Sequence, residues 1–185
     1  MDFPVTHLLT NRLSLRQANT FDATSILTYH LKNRDHLQPW EPLRVSDFYT
    51  LATQKQRLDI MSQQMQFGNA LYLIIRCRES DRMLGECNFS NIVLGSFRAC
   101  HLGYSISASH QGQGLMYEAL NHAIPYVFEA YKLHRIMANY RPENIRSAKL
   151  LSRLGFDIEG RARAYLKING KWTDHMLTSK INDKI

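Results

Sequence analysis

The sequence predicts a single mixed α/β domain of the α+β kind, residues 1–185, with a central, mostly antiparallel, twisted sheet flanked by helices. Three observations predict it. Residues 70 to 106 read as three successive strands joined by short turns, which argues for antiparallel pairing. Residues 113 to 131 carry one unbroken apolar stripe at helical spacing. Near the end of the chain Asn169-Gly170 joins two strand-like arms, a strong hairpin signal.

The elements follow in order. Asn11 to Arg16 alternates polar and apolar residues and reads as a first strand. Asn19-Thr20-Phe21-Asp22 is a helix-start cluster, and Ile26, Leu27, Tyr29, His30 and Leu31 continue it to about Asn33. Asn33 to Pro42 is irregular, broken by Pro39 and Pro42, yet it carries Leu37 and Trp40. Ser46-Asp47 is placed to cap a helix over residues 47 to 67. Phe48, Leu51, Leu58, Met61 and Met65 lie on one face of it, and Gly68-Asn69 end it. Strands follow at Ala70–Cys77, Met83–Val93 and Arg98–Ile106. Within the 113–131 helix Pro125 should kink the helix or split off its last turn. His134–Tyr140 reads as a strand. Pro142-Glu143-Asn144 opens a short helix with Ile145, Ala148, Leu151 and Leu154 on one face, ended by Gly155. Phe156 begins a new strand, and the closing hairpin has arms Ala162–Ile168 and Trp172–Lys180.

With 44% hydrophobic and 21% charged residues the composition is that of a soluble globular chain. No run approaches the ~20 apolar residues of a membrane span. Met1-Asp2-Phe3-Pro4 has neither a basic nor an apolar leader region, so no signal peptide is expected. The three cysteines, Cys77, Cys87 and Cys100, show no Cys-x-x-Cys spacing; free thiols in a reducing cytoplasm, and no metal site, are expected. The formal charge of +7 favours an acidic partner: a nucleotide-like cofactor, RNA or an RNA-coated particle.

The chemistry centres on Ser109-His110-Gln111-Gly112-Gln113-Gly114-Leu115-Met116, a glycine-rich turn between a strand and a long helix. Such a turn leaves backbone N–H groups pointing one way at the positive end of a helix dipole, which makes an anion cradle. A P-loop would need Gly-Lys-Ser/Thr after the glycines, and none is present. A dinucleotide fingerprint would need a third glycine where Tyr117 stands. The pyrophosphate of coenzyme A needs the same cradle and remains.

Gln111-Gly112-Gln113-Gly114 at this junction resembles the Gln/Arg-x-x-Gly-x-Gly/Ala motif of the GNAT superfamily of N-acetyltransferases. Met116 stands at the last small position, implying a looser or shifted first helical turn. Asn144-x-x-Ser147 followed by Leu154-Gly155-Phe156 resembles the superfamily's second motif. Further segments, among them Asn11-Arg12-Leu13, Leu37-x-Pro39-Trp40-Glu41-Pro42, Leu102-Gly103-Tyr104-Ser105 and His134-Arg135-Ile136, are similar to the RimJ-type ribosomal-protein-alanine branch. The resemblance implies the GNAT fold, acetyl-CoA as acyl donor with coenzyme A as product, and the N-terminal alanine α-amine of a small-subunit ribosomal protein as acceptor. It also implies a cytoplasmic protein that meets the ribosome or a pre-ribosomal particle, with no membrane. Another amine acceptor (polyamine, aminoglycoside or lysine), or a ribosome-assembly or RNA-binding module with incidental catalysis, stays open.

The resemblance further implies residue roles. Gln111, Gly112, Gln113, Gly114, Leu115 and Met116 would cradle the pyrophosphate. Tyr104, Ser105 and Ile106 would pair with the pantetheine arm and give an N–H to the acetyl oxygen. Asn144 would bind the cofactor or a fixed water. The Glu base of related ribosomal-protein acetyltransferases aligns with Asn139 and their Tyr acid with Leu151, so neither is available. Ser147 as donor to the leaving thiolate, and Glu86 or His101 as acceptor of the amine proton, are the catalytic candidates; Tyr104 and Tyr165 are further polar candidates. Leu37, Trp40 and Glu41, with the Gly95-Ser96-Phe97-Arg98 turn, are the expected peptide-binding rim.

Overall fold

The computed structural model describes residues 6–183; the opening Met1–Pro4, read above as carrying no signal peptide, lie outside them. In chain order come β1 (His7–Leu9), β2 (Leu13–Gln17), α1 (Ala23–Lys32), α2 (Arg34–Leu37), α3 (Leu51–Gln66), β3 (Leu71–Cys77), β4 (Met83–Val93) and β5 (Ala99–Ile106). Then follow α4 (Leu115–Tyr131), β6 (Arg135–Met137), α5 (Ile145–Arg153), β7 (Asp157–Ile168) and β8 (Lys171–Ile181). The eight strands form one sheet in the order β1-β2-β3-β4-β5-β6-β8-β7. Every neighbouring pair is antiparallel except β5–β6, which is parallel.

The alternation of a strand gives the sheet two faces. On one, Leu13, Leu15, Leu71, Leu73, Cys87, Phe89, Cys100 and Leu102 pack against the stripe of α4, and all nine predicted stripe residues from Leu115 to Tyr131 are buried. On the other, Ile74 meets Ile26 of α1 and Leu58 of α3 in a smaller cluster. Removing these apolar side chains from water is the main force holding the helices to the sheet. Among the described residues no helix is long and apolar enough to cross a membrane, and all three cysteines are free thiols.

Several expectations are corrected. Ser46–Tyr49 forms a separate 3-10 turn, and Thr50 caps α3, its Oγ accepting from the Thr53 N–H at 3.3 Å. Leu51 is therefore in the first turn and exposed. Ile145, first in α5, is likewise exposed, while Leu151 and Leu154 are buried. Pro125 does not split α4, which runs without a break to Tyr131; Pro125 and Asn121, whose carbonyl loses its helical donor, lie on the exposed side. The 33–42 segment holds the single-turn α2 and a 3-10 turn at Gln38–Trp40. The strand at 134–140 pairs as β6 only over Arg135–Met137. Asn169 and Gly170 have φ of +44° and +80°, as a tight primed hairpin turn requires.

A buried ion cluster fixes the entry to α1. Asp22, 1% exposed, accepts both guanidinium nitrogens of Arg16 at 2.8 and 2.5 Å. It also accepts from Arg76 at 3.2 Å and from the Asn19 N–H at 2.9 Å. Burial pulls its carboxyl up, but the bonds from Arg16 and Asn19 and the charges of Arg16 and Arg76 hold it below the usual aspartate range. Its contribution is therefore present above the unfolded pKa and is lost as pH falls through the folded one. Asp22→Ala should lower the unfolding free energy at pH 7 by about 3–5 kcal/mol in a urea titration, with the gap to wild type narrowing below about pH 4; a loss under ~1 kcal/mol would show the cluster to be solvated rather than buried.

Candidate active site

The site begins where the sheet opens. β5 and β6 pair over three positions only, ending at His101–Met137. The chain after Met137 turns away to β8: the Ala138 N–H donates to Thr178 at 3.0 Å, and Tyr140 bridges Met176. β5 continues to Ile106 against β4 alone. Its other edge, Leu102 to Ile106, thus borders a wedge with no strand across it, a geometry that receives an extended amide-bearing ligand.

The glycine turn follows Ile106 and lies at the open end of this edge. Gly112 and Gly114 have φ of +74° and +73°, which L side chains adopt only with strain. A Cβ at Gly112 would meet nothing within 4 Å, and one at Gly114 only the Arg12 guanidinium at 3.8 Å. The space beside the turn is open. Gly114 precedes α4 without any side-chain cap, so the amides of its first turn are left for a ligand at the positive end of a 17-residue helix. Arg12 braces the turn from below, donating to the Gln113 carbonyl at 3.0 Å and pairing with Glu118 at 2.7 Å. Burial pushes the Glu118 carboxyl up, yet the bonds from Thr10 and Arg12 hold it below its ordinary value. Met116 turns its side chain into the core, 7% exposed, so the larger residue leaves the helix regular from Leu115 onward.

The side chain of Gln111 acts as a tie. Arg146 of α5 donates to its Oε1, and its amide nitrogen lies 3.0 Å from His36 of α2. Asn144 caps α5, its Oδ1 accepting the Ser147 N–H at 3.1 Å. Ser147 Oγ and the Tyr104 hydroxyl lie 2.8 Å apart. Burial pushes the Tyr104 hydroxyl up to about 12, so it stays protonated. A tyrosine–serine pair thus stands on the wall of the wedge.

The opposite face of β5 carries Ser105, whose Oγ lies 2.9 Å from the Tyr29 hydroxyl of α1. Glu86 is its cross-strand partner. Burial first, then the charge of Glu41, raises the Glu86 carboxyl; Arg57, Arg44 and a hydrogen bond with Asn88 oppose this. Over this face folds the segment after α2. Arg141 donates to the Pro39 carbonyl at 2.7 Å and stacks on Trp40, and the Asn169 N–H donates to the Glu41 carbonyl at 2.9 Å. Glu41 pairs with Arg44 at 3.5 Å. Trp40 and Glu41 therefore stand at a rim shared with the β7–β8 turn, whereas Leu37 is buried beneath it, 5% exposed. Asn139 donates to the Tyr165 hydroxyl at 3.2 Å and accepts from the Thr178 N–H at 3.2 Å, clipping Tyr165 to the splayed strand.

Two candidates are corrected. Phe97 lies in the β4–β5 turn, before β5 begins at Ala99, and the strand rise from Ala99 to Ser105 alone is about 20 Å; it stands at the far end of the sheet, exposed, and not at the rim. His101 shares the Ser105 face but lies about 13 Å short of it, and burial lowers its imidazole; it is outside reach of the Glu86 group. Tyr29 was missed. The available signal was a tyrosine on a buried helical stripe, where its hydroxyl needs a partner.

The comparisons with known proteins agree with this geometry. A family model described as the acetyltransferase (GNAT) domain matches residues 12–157. The chain is 44% identical over 176 residues to the [ribosomal protein uS5]-alanine N-acetyltransferase of Escherichia coli K12, covering 95% of this chain and 91% of that protein. The crystal structure of ribosomal-protein-S5-alanine acetyltransferase from Vibrio fischeri superposes with a TM-score of 0.93 at 42% identity, covering 97% and 98% of the two chains. Mycobacterium smegmatis RimJ in complex with CoA-disulfide superposes with a TM-score of 0.88 at 28% identity, covering 94% and 83%. The chain belongs to the GNAT family of acetyltransferases.

Proposed function

We propose that this protein transfers the acetyl group of acetyl-CoA to the N-terminal alanine α-amine of a small-subunit ribosomal protein. The observation that carries the reading is the convergence of the Gly112–Gly114 cradle, the unpaired edge of β5 and the Tyr104–Ser147 pair on one wedge. The acceptor is supported by the 44% identity to the E. coli enzyme that modifies uS5. The +7 charge supports approach to an RNA-coated ribosome or pre-ribosomal particle, and the three free thiols suit a cytoplasmic setting.

Acetyl-CoA, when bound, supplies a thioester carbonyl open to attack. The amides of Gly112 to Met116 hold its pyrophosphate. The edge of β5 at Tyr104–Ile106 pairs with its pantetheine amides and directs one N–H at the acetyl oxygen. An α-amine has a reference pKa of ~7.7–8.0, so a fraction is neutral near pH 7. Attack forms the C–N bond and breaks the C–S bond. Glu86 takes the amine proton. Ser147, held by Tyr104 and the Asn144 cap, donates a hydrogen bond to the departing thiolate, which takes a proton from solvent as Glu86 releases the one it accepted.

Mixing the protein with acetyl-CoA and an alanine-initiated peptide of the ribosomal protein should release free thiol and add one acetyl group by mass spectrometry. No acetylation of the peptide or of the intact ribosomal protein would remove this reading. Gly114→Glu, which adds a side chain at positive φ and a negative charge at the cradle, should abolish coenzyme A binding in calorimetry; retained affinity would place the pyrophosphate elsewhere. Because its carboxyl is raised, Glu86 is the competent base above its folded pKa and inactive below it. Glu86→Gln should therefore cut kcat/KM about a hundredfold at pH 7 and delete that acid limb from the pH profile, leaving the titration of the amine. An unchanged profile would show that a neutral amine needs no base here.

A further inference from the structure

One strand position has an emptiness that neither packing nor backbone geometry explains. Gly103 lies in the middle of β5, between His101 and Ser105 on the face that α1 covers, and it is exposed. Its neighbours on the other face, Cys100 and Leu102, are buried at 0% and 6%. A Cβ at Gly103 would meet no atom within 4 Å, and its φ is not in the left-handed region. Gly85 on the adjoining strand is the contrast: there a Cβ would stand 2.2 Å from the Ser105 carbonyl oxygen. Gly85 is required by close packing. Gly103 is required by neither contact nor conformation, although glycine weakens a strand interior. A glycine so placed marks the close approach of something else.

The surroundings say what approaches. Gly103 is two residues past His101, the last parallel pair, so the empty space lies near the apex of the wedge, where the strands begin to part. Asn88 lies directly across on β4 and hydrogen-bonds Glu86. Asn139, two residues past Met137 on the diverging strand, carries the Tyr165 hydroxyl. The Ser105–Tyr29 pair closes the third side. The space is open at Gly103, bordered by polar groups and next to the backbone that would hold the acetyl oxygen.

We propose that Gly103 determines specificity for the acceptor's first residue: the side chain it lacks is the room taken by a small amine-bearing residue, with its amine toward Glu86. This rests on the acetyl-transfer reading above.

The test compares wild type with Gly103→Ala on two peptides identical except for a first residue of alanine or glycine. The variant should fold with a thermal midpoint no lower than that of wild type, since the added Cβ has space and alanine suits a strand interior better than glycine. Its kcat/KM should fall at least about tenfold for the alanine peptide, the effect of one extra methyl in a fitted pocket. The glycine peptide should stay within about threefold, and the Kd for coenzyme A should not move. Gly103→Ser gives the same readout if the alanine variant is poorly produced. An equal fall on both peptides, no fall on either, or a matching loss of coenzyme A affinity would overturn the proposal. Wild type that acetylates neither peptide would overturn the acetyl-transfer reading, and this one with it.

Discussion

The site depends on one loss of partner in the sheet. β6 lies between β5 and β8; it follows β5 for three residue pairs, and the chain beyond it stays with β8 alone. Backbone groups removed from water must be paired, and the carbonyls and amides of Ala138 and Tyr140 find partners in Thr178 and Met176. β5 has no such alternative on that side. Apart from the Ile106 carbonyl, which meets the His36 imidazole at 3.2 Å, its edge from Leu102 onward is left to solvent or to a ligand that presents amides in the same register. The C-terminal hairpin thus shapes the wedge through the strand that stays with it, and meets its surroundings directly at Asn169 and Tyr165.

Around this opening the two faces of β5 do different work. Tyr104 points to α5 and meets Ser147; Ser105 points to α1 and meets Tyr29. Strand alternation therefore separates the group that would serve the leaving sulfur from those that would receive the amine. The supports are electrostatic. The Asp22 cluster fixes the start of α1, and with it Tyr29. Arg12 fixes the turn through Gln113 and Glu118. Gln111 joins α2 to α5 across the mouth. His30 lies nearby without a partner on Nε2 and is kept neutral by burial, and by Arg57 and Arg44, its imidazole pushed down to about 3. This leaves the charges over the acceptor face to the carboxylates and arginines.

Much of this was legible in the residues, because local patterns report local constraints. The stripe of α4, the limits of β4 at Met83 and Val93, and the Asn169-Gly170 turn follow from periodicity and positive φ. The left-handed turn at Gly112 and Gly114 was legible for the same reason. What periodicity does not carry is register and partner choice. The short β1 edge strand was missed because three residues make too short a pattern, and β6 was read too long because the chain goes on extended beside β8 after it leaves β5. Phe97 was misplaced because a turn near an active strand in sequence can lie at its far end in space; the strand rise from Ala99 to Ser105 was enough to show this. Tyr29 and Gly103 escaped as site residues because their meaning lies in what they face across the sheet.

The most direct test is a crystal structure of the protein with coenzyme A bound. The pantetheine amides should lie about 2.8–3.0 Å from backbone groups of Leu102–Ile106, with the pyrophosphate on the Gly112–Met116 amides and the sulfur beside Ser147 Oγ. A coenzyme A bound with β5 and β6 closed upon each other, or with its sulfur away from Ser147, would contradict the account.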